Sequence, residues 1–344
     1  MPHAASLAHD PILPHVEPVI PDRRRIVEEI LALPVIADWP ELVAVIAPAG
    51  FETQPVSPWA CWHLPRLACA AVGGPEAHAI PGMAAVVCLL QSIHLVDDML
   101  DDEPDGWHER LGVGATANLA LALQAAAAQL IERAPISADR RVLAHAAVAR
   151  AAVATARGQA LDSQPPAVFD EAAYWRVVDA KTPPLFTVAL ELGVLLAGAD
   201  EQQARTVGRL GQSIGRLIQV SDDLKDALES PQSPDWKACW NNLAILFAYL
   251  VDHPERARFH QLLEELERPE ALDEARAIVI RSGALSYCLY QMGESYRAGI
   301  EQISTMSLAD RAPLDDLFQS LTRSVRGLFA GHGLAVPDVF ISER

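Results

Sequence analysis

Two stretches of this chain carry the same arrangement of carboxylates: Asp97-Asp98-Met99-Leu100-Asp101, with Asp102 after it, and Asp222-Asp223-Leu224-Lys225-Asp226. Each follows an apolar run with helical spacing. Residues four apart on a helix share a face, so Asp97 meets Asp101 and Asp222 meets Asp226 across one turn. Like charges placed this way disfavour a helix by about 0.2–0.5 kcal/mol per pair unless a cation neutralises them. Magnesium suits such a claw, because it takes a few carboxylates together with water and substrate phosphate oxygens. Either motif alone reads more readily as solvated turn residues at a helix end. Two copies on helices that face each other across a bundle would close on one shared anion.

The composition frames this chemistry. Of 344 residues, 51% are hydrophobic and 21% charged, which supplies a large core and excludes general disorder. Twenty-seven basic against forty-five acidic side chains give a net charge of -18, which repels nucleic acid and anionic membranes, so an anionic substrate must bring or recruit cations. Cys61, Cys69, Cys88, Cys239 and Cys288 show neither zinc-type spacing nor disulfide density and read as small core residues. Met1 to Arg25 lacks the basic start and apolar run of a secretory signal. Ala115 to Ile131 is interrupted by Asn118, Gln124 and Gln129, short of a span of about 20 apolar residues. The expectation is a cytosolic protein with no integral membrane segment and no nucleic-acid partner.

The elements that must position the motifs are helices, since apolar residues recur at three- and four-residue spacing and nothing reads as a set of strands. The pattern predicts helices over Arg24 to Ala47, Pro65 to Val72, Pro81 to Leu100, Ala115 to Arg133, Asp139 to Ala160 and Asp170 to Leu196. Further helices are predicted over Glu201 to Ala227, Trp240 to His253, Pro254 to Glu267, Leu272 to Ser304 and Pro313 to Ala330, with Gly and Pro between them. The fold class is therefore all-α, a single large helical bundle over 23–344 preceded by a loose tail over 1–22.

Taken together these features resemble the trans-isoprenyl diphosphate synthases, or polyprenyl synthetase family, from about Pro65 to near Gly299. Besides the two aspartate motifs, Gly158-Gln159-Ala160-Leu161-Asp162 resembles the family's G-Q-x-x-D element, and Lys181-Thr182 lies within Tyr174 to Phe186. Gly211, Gly215 and Gln219 are similar to the family's approach to its second motif. The resemblance implies the isoprenoid synthase fold, three magnesium ions, an allylic prenyl diphosphate between the motifs, and a homodimer. On this resemblance Asp97, Asp98 and Asp101 would hold two ions, and Asp222, with Asp223 and Asp226, the third. Lys181 would touch the diphosphate, Thr182 and Gln219 would steady positive charge near the reacting carbon, and Gln159 would line the substrate. Taken singly, Lys181 also reads as a snorkelling surface lysine, Gln219 as a satisfied core amide and Gln159 as a helix-packing polar residue. Breaking the C1–O bond of such a substrate creates a carbocation and a heavily charged leaving group, so metal ions and a lysine lower the barrier while a dry pocket protects the cation. Ser92 and Ile93, one turn before Asp97, would floor the prenyl pocket, with Leu89 and Leu90 a turn deeper. No aromatic ring stands there, which predicts a substrate of fifteen carbons or longer, with twenty the best single value.

The chain also departs from the family. Chain-elongating members carry Gly-Lys-Arg upstream and Arg-Arg-Gly after the first motif, where a second diphosphate binds. Here the upstream stretch reads Trp59-Ala60-Cys61-Trp62-His63-Leu64-Pro65-Arg66, and the downstream one runs from Glu103 to Arg110, its only arginine. Lys237 follows the second motif, but Trp240-Asn241-Asn242 differs from the family's Gly-Lys pattern. The expectation is an enzyme that ionises one allylic diphosphate without adding a second unit, a terpene synthase or cyclase on the prenyltransferase fold. Trp62, Trp107, Trp236 and Trp240 would be available to stabilise migrating positive charge, although each also reads as ordinary packing. One alternative is a chain-elongating synthase that gathers His63, Arg66, His108, Arg110 and Lys237 into a divergent isopentenyl diphosphate site. Another is a noncatalytic subunit of a heteromeric synthase, against which the intact claws speak.

Overall fold

The computed structural model of the chain describes residues 20–47, 61–229 and 234–331, and among these no strand occurs. The chain enters through α1 (Ile20–Leu31), α2 (Pro34–Ala37) and α3 (Pro40–Ile46), where the pattern predicts one helix over Arg24 to Ala47. Pro34 and Pro40 are the cause, each opening a new helix because proline tolerates the first turn but not the interior. The predicted tail over 1–22 overlaps the first turn of α1, and residues 1–19 lie outside the described residues.

The bundle is built around two helices. One is α5 (Ile80–Leu100), which follows α4 (Leu64–Ala71) and packs on α1, on α7 (Val113–Glu132) and on α10 (Pro183–Leu196). The other is α10 itself, enclosed by α4, by α8 (Ala138–Asp162), by α11 (Glu201–Gly208) and by α12 (Leu210–Glu229). Met83, Ala84, Val86 and Cys88 on α5 and Ala189, Leu190, Val194 and Leu196 on α10 are fully buried. A helix wrapped on all sides must be apolar all round. That requirement makes the stretch Glu76–Leu100 long and apolar enough to cross a membrane, as is α7, which leaves Val113 and Leu121 exposed.

Two further breaks matter for function. The predicted helix from Asp170 to Leu196 divides into α9 (Glu171–Lys181) and α10, because neither Pro183 nor Pro184 can donate to the carbonyls of the preceding turn. The predicted helix from Leu272 to Ser304 divides into α15 (Pro269–Arg281) and α16 (Ala284–Thr305) at Gly283, whose φ is +90°. Helices α13 (Leu243–Leu250) and α14 (Arg256–Leu263) precede this pair, and α17 (Ala312–Gly331) closes the chain. Asn242 caps α13 by accepting from the amides of Ala244 and Ile245 at 3.1 and 3.2 Å.

At Gly283 an added Cβ meets no atom within 4 Å, so the cost of a side chain is conformational alone. Gly283→Ala should destabilise the fold by about 1 kcal/mol and lower the thermal midpoint without altering the site. An unchanged midpoint would show that the α15–α16 turn does not depend on the left-handed conformation.

Candidate active site

The last turn of α5 delivers the first motif. Asp97 and Asp98 stand in the helix, Asp101 caps it, and Asp102 turns the chain away with φ +54°. Asp97 Oδ1 is buried and accepts no hydrogen bond, with the Lys181 ammonium 3.3 Å away. Partial burial, then the neighbouring charges of Asp97 and Glu103, push the Asp98 carboxyl up to about 6. Asp101 is raised to about 6 by partial burial and then by Asp97. Carboxyls that repel each other and hold protons this far up the scale are arranged to give those protons up to a cation.

Lys181 is the last residue of α9, set at the break that Pro183-Pro184 impose. Its Nζ donates to Asp162 Oδ2 at 2.5 Å while lying beside Asp97. Burial works against the ammonium, but Asp97, Asp162 and Asp101 outweigh it and hold the lysine above its usual value, so it is charged. Gly158 sets this position. A Cβ there would lie 2.4 Å from Ala180 C and from Lys181 N and Cα, so α8 meets α9 backbone to backbone and Asp162, one turn on, reaches Lys181. His94, one turn before Asp97, is pushed down by burial, the charge of Asp97 opposing the fall and that of Lys181 adding to it.

On α12 the three acidic residues of the second motif sit differently. Asp223 is 1% exposed: Oδ2 accepts from Tyr174 OH and from the Leu243 amide, both at 2.6 Å, and Oδ1 accepts from Gln219 Nε2 at 3.0 Å. Both its oxygens therefore tie α12 to α9 and α13. Asp222 is exposed, its Oδ1 3.8 Å from Lys225 Nζ, and Asp226 is half-buried. Between the motifs stands Asp235, in the turn before α13. Burial pushes its carboxyl up to about 7, Asp226 and Asp162 adding to the rise while the Asn242 amide, 3.0 Å from Oδ2, and Lys181 oppose it. One charge cluster thus joins Asp97, Asp98 and Asp101 through Lys181, Asp162 and Asp235 to Asp222 and Asp226. Its hard carboxylate oxygens, one of them without a hydrogen bond, fit magnesium.

Thr182 Oγ1 donates to Gln219 Oε1 at 2.8 Å, which orients the amide so that its NH2 serves Asp223. Gly215 permits this, since a Cβ would lie 2.7 Å from Pro183 Cα. Gln159 is 3% exposed and both its amide atoms are buried without a hydrogen bond, as is Ser92 Oγ. Ile93 is half-buried against the core. Of the cations weighed for a second diphosphate, Arg110 lies 4.4 Å over the Trp107 ring, Arg66 is 3.8 Å from Glu76, His108 sits beside Asp102 and Glu109, and Lys237 is exposed. Trp62 and Trp236 are buried in the core, while Trp240 stacks on Phe169 with ring centroids 5.1 Å apart. Trp59 and Ala60 lie outside the described residues. Tyr174, Asn242 and Asp235 have no spacing signal that would assign them to the site, whereas Asp162 stands in plain view as the end of G-Q-x-x-D.

The sequence profile of the polyprenyl synthetase family matches residues 64–279. The chain is 28% identical to the geranylfarnesyl diphosphate synthase of Aeropyrum pernix over 235 residues, 62% of this chain and 71% of that one. It is 32% identical to the (2E,6E)-farnesyl diphosphate synthase of Mycobacterium tuberculosis over 279 residues, 73% and 75% of the two chains. The match to the octaprenyl diphosphate synthase of Haemophilus influenzae, 27% identical over 143 residues, covers 40% of this chain and 44% of that one. A crystal structure of geranylgeranyl pyrophosphate synthetase from Pyrococcus horikoshii shares the fold with a TM-score of 0.73 at 17% identity, over 89% of this chain and 96% of that one. With the profile spanning more than half of the sequence and the two aspartate motifs brought to one cluster, the chain belongs to the polyprenyl synthetase family.

Proposed function

We propose that this protein is a prenyl diphosphate synthase, a prenyltransferase that ionises an allylic prenyl diphosphate of fifteen carbons or longer and joins it to isopentenyl diphosphate. The observation that carries the reading is one charge cluster in which the first motif and Asp162 hold the charged Lys181 while Asp235 links it to the second motif. The names of the relatives, all synthases of prenyl diphosphates, support elongation. Family members typically use magnesium, and Asp97, Asp98, Asp101, Asp222 and Asp226 are the residues to hold it. Bound there, magnesium supplies positive charge to the departing diphosphate. Lys181 adds a point charge on the same leaving group, kept in place by Asp162 and Asp97. The Thr182–Gln219–Asp223 chain holds α9, α10 and α12 in register at the reacting end. Toward the N-terminus of α5, Leu89 and Ser92 are buried and Leu90 and Ile93 half-buried, a stretch without an aromatic ring, which suits a long tail. The exposed Val113 and Leu121 of α7 favour a homodimer through that helix.

A second reading, a terpene synthase or cyclase, is favoured by Cys61 and Trp62, both buried where the upstream cations of an elongating enzyme would stand. Labelled isopentenyl diphosphate, supplied with magnesium and farnesyl or geranylgeranyl diphosphate, separates the two. Its incorporation supports the synthase; a hydrocarbon or alcohol product without label supports the cyclase, and release of no diphosphate overturns both.

Two further outcomes test the claws. Asp97→Ala and Asp222→Ala should each lower turnover by more than about a hundredfold with the fold retained by circular dichroism; near-normal rates in both would remove the metal assignment. The second concerns pH. Asp98 and Asp101 rise from 3.8 to about 6 on folding, so between these values the metal-free fold binds more protons than the unfolded chain. That contribution makes the fold less stable as pH rises toward and through 6. Magnesium must displace the same protons, so it should raise the thermal midpoint more at pH 8 than at pH 5.5. Equal shifts at both would mean that these carboxyls do not meet the ion.

A further inference from the structure

Just beyond the first motif the chain assembles a second set of metal-type donors that the proposed reaction does not use. The left-handed turn at Asp102 reverses the chain, and α6 (Trp107–Leu111) carries His108 and Glu109 back against it. One donor atom from each of Asp102, His108 and Glu109 lies within 4.8 Å of the other two. His108 Nε2 is 3.8 Å from Asp102 Oδ1 and 3.7 Å from Glu109 Oε1, close enough to face both carboxylates and too far to hydrogen-bond to either.

The imidazole is the telling group. Its side chain is 4% exposed, and neither Nδ1 nor Nε2 has a hydrogen bond among the described residues. Buried polar groups are almost always paired, so a ring with both nitrogens unpaired and one aimed at two carboxylates calls for a ligand. Gly106 fixes the ring from the other side, because a Cβ there would sit 2.6 Å from Nδ1 and from Cε1. The two carboxylate side chains, by contrast, are 95% and 54% exposed and free to adjust.

We propose that Asp102, His108 and Glu109 bind one borderline transition-metal dication, zinc or its cobalt surrogate, at a site distinct from the magnesium claw. Zinc bonds to nitrogen and oxygen of about 2.0–2.2 Å put tetrahedral donors about 3.4 Å apart, a few tenths of an ångström less than the two His108–carboxylate spacings, while the two exposed carboxylates, within 4.8 Å of each other, would close by side-chain rotation. One imidazole with two carboxylates selects such ions over magnesium, which prefers oxygen ligands and water. The exposed side of the cluster leaves a coordination position for water. This site does not depend on whether the enzyme elongates or cyclises.

The test titrates cobalt into the full-length protein under a large excess of magnesium, following visible absorption and stoichiometry by calorimetry. One equivalent of cobalt should bind despite the magnesium. Its affinity should fall by at least about tenfold in Asp102→Asn and in Glu109→Gln, both at exposed positions where folding is not at stake, and at least as much in His108→Gln. Asp97→Ala and Asp222→Ala should leave it unchanged. Absence of a magnesium-resistant equivalent, its loss in Asp97→Ala, or wild-type affinity in both exposed variants overturns the proposal.

Discussion

The site depends on keeping one ammonium charged among carboxylates in a half-buried position. Lys181 meets that constraint through Asp162 and Asp97, and the contact in turn requires α8 and α9 to touch at backbone distance. Gly158 makes the approach possible, and Pro183-Pro184 end α9 where the lysine must point inward. The G-Q-x-x-D element and the Lys-Thr pair, far apart in sequence, are two halves of one device: glycine for closeness, and an aspartate that pairs with the lysine.

The two aspartate motifs look alike on paper and divide their labour differently in space. In the first, Asp98 and Asp101 are raised toward neutrality by partial burial and by the charge of Asp97. The second commits Asp223 to Tyr174, Gln219 and the start of α13, while Asp222 is exposed and Asp226 half-buried. Burial, then the charge of Asp235, pushes the Asp223 carboxyl up, and its three donors pull the other way by stabilising the charged form. A buried carboxyl is tolerated when both of its oxygens are hydrogen-bonded in this manner, and it then fixes the mutual position of the helices that supply the donors.

The helical class, the order of the elements and the two motifs were legible because they rest on local periodicity. Helix boundaries failed where proline or glycine overrode that periodicity, at Pro34, Pro40, Pro183 and Gly283, although each breaker was visible as a residue. Asp235 was not legible at all. It follows no spacing rule and reaches the site only because Asn242 caps α13 and donates to it across the turn. The orphaned amide of Gln159 and the unpaired His108 ring were equally beyond sequence reasoning, since pairing is a property of the surroundings and not of the residue.

Charge arithmetic explains why a second diphosphate is the decisive question for this family member. Around one lysine stand Asp97, Asp101, Asp162 and Asp235, with Asp98, Asp222 and Asp226 in the same acidic cluster, so a diphosphate could enter only with cations that overturn the local sign. Cations held by the motifs could not also serve a second anion some distance away, which would need its own positive charge. The positions that would supply it locally hold Cys61 and Trp62, both buried, and Trp107 beneath Arg110. Over the Trp62 ring, with its guanidinium carbon 6.0 Å from the centroid, lies Arg23. It comes from α1, a helix outside the 64–279 span that the family profile matches, and brings a mostly buried cation to the face of the bundle where the family's own are missing.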